Sequence, residues 1–435
     1  MSIINDPLHD APPCVTTIGR LWRRLCYGWA FLRLPMRHEG SSVCAKARSN
    51  IRIMNVIGVL RSALFILPVI MPFALLKAGV TPGQFMMAEA VFALTVVVME
   101  VPTGWISDIW TRRKAMFAGL FLETIGFIIL WVMENIWHLL IGQVVIGVGL
   151  SLISGTPSAL LYDSLIEARM TRMYRKLEGL RHGIGLYSVG IGSIVGAALY
   201  SISPDLVIGM TVAALALSTL CCLLLYEPQR VKEAVHGNPI RDIAITMNQS
   251  IRKDPYLGRL LLMIAVVFGV TNTAFWTQQP YYMALGLPIS LFGAFSAGGH
   301  LCGGLGAQLA HLLERHMRFS SVMLAILCWL AVAYLICGAY PGIWGAFLLM
   351  SGGTAYGIGF PIIQDEINKR VSSARRATIL SCASLSMRLV FVILAMSLGG
   401  FMDRYGVELV LLVLAAILSG CGTMAWFALR GLSAK

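Results

Sequence analysis

The chain has 435 residues, of which 57% are hydrophobic and 13% charged, against about 45–50% and about 25% in soluble domains. Its mean hydropathy is +0.76, and 34 Lys+Arg against 21 Asp+Glu leave a net charge of +13. A soluble fold has nowhere to bury so much apolar surface, and a disordered chain would not carry it, so both classes are excluded. The expectation is a multi-pass protein of the lipid bilayer, with its basic excess in cytoplasmic loops rather than on a nucleic-acid face.

Residues 1–50 read as a cytoplasmic N-terminal extension. Leu21, Trp22, Leu25 and Trp29 beside Arg20, Arg23 and Arg24 form either an interfacial amphipathic stretch or part of a solvated tail. The compact apolar core of a secretory signal is missing. A helix needs about 20 apolar residues to cross the bilayer core. Twelve such stretches follow, at 53–76, 84–106, 115–134, 138–161, 180–202, 206–226, 257–284, 288–312, 319–338, 343–364, 377–399 and 406–429. Basic clusters fall after the second, fourth, sixth, eighth and tenth, whereas the alternate loops hold only Lys77 and Arg404. That alternation places both termini in the cytoplasm.

The basic linker 227–256 divides the spans into a bundle over 51–226 and another over 257–435. The halves echo each other. Pro68 and Pro72, then Gly79, in the first span match Pro280, then Gly286, in the seventh, and Pro157 to Asp163 in the fourth matches Pro361 to Asp365 in the tenth. The expected fold is an all-α membrane protein of twelve helices in two pseudo-symmetric six-helix bundles.

Ionisable residues inside a span cost about 2.5–3.5 kcal/mol each and are functional candidates by default. They are Arg61, Glu89, Glu100, Glu123 and Arg388. Glu89 and Glu100 are close to three turns apart and share a helix face. Arg61 lies about 12 Å into the first span at 1.5 Å per residue. Either Glu100 or Glu123 sits at a depth to pair with Arg61 or Arg388, and such a pair can exchange a proton. In the seventh span Trp276, Gln278 and Gln279 beside Pro280 suggest a broken helix lining a substrate cavity. The tyrosines that follow read equally well as an interfacial belt.

The loop after the second span runs Glu100-Val101-Pro102-Thr103-Gly104-Trp105-Ile106-Ser107-Asp108-Ile109-Trp110-Thr111-Arg112-Arg113-Lys114. Gly104 permits close helix approach, and Asp108 can accept from the N-terminus of a neighbouring helix. Arg112 is placed to bridge Asp108 and Asp163, while Arg113 is either part of that cluster or a topogenic charge. This loop resembles the signature loop of the major facilitator superfamily, with Gly104, Asp108, Arg112 and Arg113 at the motif positions and Ile109 and Thr111 departing from it. The Glu-Val-Pro-Thr-Gly lead-in and Tyr162-Asp163-Ser164 look most like the twelve-span drug:proton antiporter branches. The resemblance implies that Gly104, Asp108, Arg112, Arg113 and Asp163 latch the halves in an outward-open state. It also places the chain in a bacterial inner membrane. Gln143 stands where antiporters often carry an arginine, and Ala197 where their fifth-span motif, with Gly183, Gly192 and Gly196, has a proline. Gln143 joins the cavity candidates.

The expected function is therefore secondary active transport of small organic molecules by alternating access, as a proton-coupled exporter, with a proton-coupled metabolite importer as the alternative. A membrane enzyme or receptor is a distant third, because the outer loops are short and no nucleophile–base pair stands out. Neither a metal site nor a nucleotide-binding P-loop is visible, so the expectation is a cofactor-free monomer with a small-molecule substrate and protons as partners.

Overall fold

A computed structural model describes residues 42–229, 249, 251–371 and 373–433, and helix is the regular structure throughout them. Helices are what a lipid-embedded chain must form, because they satisfy every backbone group within the segment. In chain order the spans are Ser42–Ala78 with an interruption, Pro82–Ile109, Arg112–Trp131, Ile136–Glu167 with an interruption, Tyr174–Tyr200 and Pro204–Cys222. After the linker come Pro255–Ala284, Ile289–His316, Phe319–Ala339, Ile343–Arg370, Ser373–Tyr405 and Val407–Ser433. Residues 112–114, 169–176, 315–318 and 369–370 share one end of the bundle, here the basic end; the other is the far end.

Eleven of these helices are long and apolar enough to cross a membrane by hydropathy alone. The remaining helix, Ile289–His316, is the eighth span expected from sequence, and its 28 residues reach about 42 Å at 1.5 Å per residue, beyond a core of about 30 Å. Its hydropathy is low because glycines replace large side chains along the face packed on the tenth span. A Cβ on Gly353 would overlap the Gly299 carbonyl, and one on Gly357 would overlap that of Gly303. Small residues at such a seam allow backbones to approach closely.

Two expectations need correction. The first helix starts at Ser42 rather than near 51. Buried Asn50 donates to Ser164 Oγ (3.0 Å) and the Tyr226 carbonyl (2.7 Å) and accepts from the Tyr226 N–H (2.8 Å), so 42–50 belong to the first bundle. The stretch Leu21–Trp29 lies outside the described residues. The seventh span is unbroken: Pro280 lies inside a continuous helix, four residues from its end, where losing one hydrogen bond interrupts little. The real break is in the first span, at 63–66, ahead of a short turn of tighter helix at Leu67–Val69. There the Ile66 N–H, unable to bond within a helix, donates to buried Thr211 Oγ1 at 3.1 Å. The Phe65 carbonyl fills the space where Gly196 lacks a Cβ. That contact is a structural use for one of the fifth-span glycines.

Candidate functional site

The halves pack second span on eleventh and fifth on eighth, and their hydrogen bonds lie toward the far end. Thr81 caps the second span through a reciprocal capping box with Gln84. Asp403, from the end of the eleventh span, reaches over the same N-terminus. Its Oδ1 accepts from the Gly83 N–H at 2.7 Å and its Oδ2 from Thr81 Oγ1 at 2.5 Å. A carboxylate complements the positive end of a helix, and here it comes from the opposite half. The approach is close because neither partner has a side chain: a Cβ on Gly83 would overlap the Gly399 carbonyl. Ser193 and Ser296 hydroxyls meet at 3.2 Å, and Phe85 packs on Trp276 with ring centroids 5.8 Å apart.

Gln279 completes this seal. Its Nε2 donates to the Leu67 carbonyl at 3.0 Å and its Oε1 accepts from the Met71 N–H at 3.0 Å, clasping the break in the first span. Gln278 donates to the Leu349 carbonyl at 3.2 Å. The seventh-span residues expected to line a cavity therefore include one, Gln279, whose amide is occupied in joining the halves. Gln143 is likewise buried, and its Nε2 donates to Glu89 Oε1 at 2.5 Å within the first bundle. Glu89, expected on a helix face shared with Glu100, is buried beside the fourth span.

Asp403 was legible only as a loop marker, since nothing local says that an acid after the eleventh span will cap the second. Asp403→Asn keeps an acceptor but removes the charge, weakening the seal by up to about 1 kcal/mol and shifting its opening up to about fivefold. The check is labelling of a cysteine at Ser296 by an impermeant thiol reagent from the far side, with exposed Cys328 and Cys421 replaced by serine. Unchanged labelling would refute the role.

Two groups of intramembrane charge lie deeper. Arg61, at the last turn before the break in the first span, pairs with Glu123 of the third. Nε to Oε2 is 2.9 Å and Nη2 to Oε1 is 2.7 Å, a two-pronged geometry with Glu123 buried. This pair lies wholly within the first bundle. Glu100 and Arg388 lie in opposite halves and within Coulombic range of each other. At 1.5 Å per residue Glu100 is about 25 Å below Gly83, and Arg388 about 16 Å below Gly399. Among the described residues Arg388 Nε is buried without a hydrogen-bond partner. Tyr356 lies in its electrostatic reach, edge-on to Phe268 at 5.5 Å and stacked on Phe360 at 5.2 Å.

At the basic end, Arg112 Nη1 donates to Ser107 Oγ at 2.7 Å, and its Nε lies 3.9 Å from Asp163 Oδ2. The side chain of Asp108 lies outside the described residues. The N-terminus of the third span is capped by Thr111, whose Oγ1 accepts from the Lys114 N–H (3.2 Å), and by Glu227, which sequence reasoning missed: Oε1 accepts from the Arg112 N–H (2.9 Å) and Oε2 from the Arg113 N–H (2.8 Å). An acid at the first position of the linker, directly after an apolar span, was the available signal. Gly104 makes no close approach: a Cβ there would meet nothing within 4 Å. Among the described residues nothing occupies the place where the expected helix contact would form in this conformation.

Two bundles of membrane-spanning helices, sealed at one end above intramembrane charges contributed by both, define a multi-pass membrane transporter. The chain belongs to the Major Facilitator Superfamily, whose profile matches residues 54–395. Over 102 residues it is 32% identical to an uncharacterized transporter of Buchnera aphidicola subsp. Acyrthosiphon pisum, covering 23% of this chain and 26% of that protein. Over 107 residues it is 27% identical to the inner membrane transport protein YajR of Escherichia coli K12, covering 25% of this chain and 23% of YajR. The matched stretch thus spans about a quarter of each of these relatives. Among solved structures, a mutant of the nucleoside transporter NupG aligns with a TM-score of 0.72 at 14% identity, over 87% of this chain and 99% of that one. A bacterial homologue of the human lysosomal transporter Spinster, in an inward-facing and unoccupied conformation, aligns with a TM-score of 0.68 at 15% identity, over 90% of this chain and 98% of that one. At these identities the structural likeness concerns the fold.

Proposed function

We propose that the chain is a proton-coupled exporter of amphiphilic small molecules that works by alternating access in a bacterial inner membrane, with its basic end and both termini in the cytoplasm. The far-end seal and the open surroundings of Gly104 then correspond to an inward-facing state. The observation that carries the reading is the opposition of Glu100 and Arg388 across the halves. Rocking the bundles changes their separation, and with it the affinity of the carboxylate for a proton, whereas Arg61 and Glu123 move together within one bundle.

The Tyr356 and Phe360 rings beside Arg388, backed by buried Phe268, offer stacking surface to an amphiphile. Trp276 and Gln278, two to three turns beyond Phe268 on the seventh span, would meet a substrate nearer the seal, while Gln143 and Gln279 act on the cavity through Glu89 and through the seal. Gly104, Asp108, Arg112, Arg113 and Asp163 form the latch of the opposite, outward-facing state, in which Gly104 acquires its neighbour.

The test is transport of a panel of amphiphilic cations, anions and neutral compounds into acid-interior everted vesicles. One-for-one exchange supports about tenfold accumulation per pH unit, the equivalent of about 1.4 kcal/mol. Accumulation only in right-side-out vesicles with acid outside would make the chain an importer. Indifference to the gradient would remove proton coupling.

A further inference from the structure

At the basic end, on the outer wall of the second bundle, the ninth and twelfth spans enclose a cleft of about 400 Å³. Its lining changes character with depth. Arg318, Ser320, Ser321 and Arg430 surround the mouth, and Leu324, Ala325 and Cys328 continue inward along the ninth span. Residues 321, 324, 325 and 328 fall on one helix face, so polar rim and apolar floor form a single strip about two turns long.

Two further features belong to the mouth. The ninth helix, Phe319–Ala339, begins without a side-chain cap; the Arg318 carbonyl takes the Ser321 and Val322 N–H groups, so the Phe319 and Ser320 N–H groups and the positive end of the dipole are available to an anion. Trp426 Nε1 donates to the Ser320 carbonyl at 2.6 Å, and the Arg430 guanidinium sits 5.3 Å over the Trp426 ring. These contacts hold the two spans together and keep the second arginine at the cleft.

We propose that this cleft binds an anionic phospholipid of the leaflet at the basic end, its phosphate between Arg318 and Arg430 and one acyl chain along Leu324, Ala325 and Cys328. Charge-assisted bonds from two guanidinium groups and bonds from the serine hydroxyls match a phosphodiester. Basic pockets between spans at this membrane depth suit such headgroups. The apolar floor gives the site its preference for a lipid over a soluble anion.

The test is native mass spectrometry and thermal unfolding of the purified full chain with phosphatidylglycerol, phosphatidylcholine or inorganic phosphate. Phosphatidylglycerol should be retained at one tight site and should raise the unfolding temperature more than the other two. The double variant Arg318→Ala/Arg430→Ala should bind it about 30-fold more weakly. Ser321→Glu, which leaves both arginines and the Trp426 bond in place, should weaken it as well by repelling the phosphate. Equal retention of phosphatidylcholine would overturn the proposal in favour of an apolar groove, and equal protection by inorganic phosphate in favour of a free-anion site. Undiminished phosphatidylglycerol binding in either folded variant would overturn it outright.

Discussion

Glu100→Gln is expected to abolish accumulation driven by a pH gradient while leaving substrate counterflow largely intact. Glutamine fills the same volume and still bonds, but it cannot take up or release a proton. Arg388 then faces a neutral amide in both conformations, so rocking the halves no longer changes a protonation equilibrium. Without that difference a gradient cannot be converted into work, and the carrier only equilibrates its substrate. Measured at matched protein levels in everted vesicles, the variant should reach an internal concentration equal to the external one, against about tenfold per pH unit for the native chain. Full gradient-driven accumulation would show that Glu100 is not the coupling site. Arg388→Gln should also change the pH dependence of transport, because it removes the charge that Glu100 faces. A merely structural arginine would lower protein yield and leave that dependence where it was.

Breaking the Arg61–Glu123 pair should act on folding rather than on coupling. Both oxygens of buried Glu123 are engaged by Arg61, whose side chain is 30% accessible. Arg61→Ala leaves a carboxylate in the bundle without its partner, which costs about 3–5 kcal/mol in buried pairs; the partial exposure of Arg61 points to the low end. Folded yield and thermal stability in detergent should therefore fall sharply, and Glu123→Ala should behave alike. The double replacement Arg61→Met/Glu123→Leu should recover most of the loss, since well-packed apolar residues often replace a buried pair at little cost. Its gradient-driven transport should then approach that of the native chain. A stable double variant that equilibrates without accumulating would instead assign coupling to this pair and remove it from Glu100.

The contrast between the two charge groups shows where sequence reading stops. Depth along a helix is one-dimensional and follows from counting residues, so Arg61, Glu100, Glu123 and Arg388 could all be placed in the membrane from the chain alone. Which acid meets which arginine depends on how far apart the helices stand and how each is rotated. The count left Glu100 and Glu123 interchangeable; the packing separates them, one across the halves and one within the first bundle. Glu89 shows the same limit. Its spacing from Glu100 placed both on one face, but Gln143 of the fourth span bonds Glu89, whereas Glu100 lies within Coulombic range of Arg388 in the opposite half.

What the amino-acid sequence determined by itself was the solvent and the element: a bilayer, and helices long enough to cross it, because composition and run length answer directly to the cost of unbonded backbone in hydrocarbon. It also determined the family, since the signature loop is local and contiguous. The tertiary structure decided everything that joins distant segments. Asp403 caps a helix 320 residues earlier in the chain, Glu227 caps the third span, and Gln279 holds the break in the first. The close seam of the eighth span with the tenth likewise depends on glycines that lie far apart in the chain. Caps, close approaches and charge pairs of this kind are set by distances of about 3 Å between atoms of separate helices, and no periodicity within a single helix encodes the position of its neighbour.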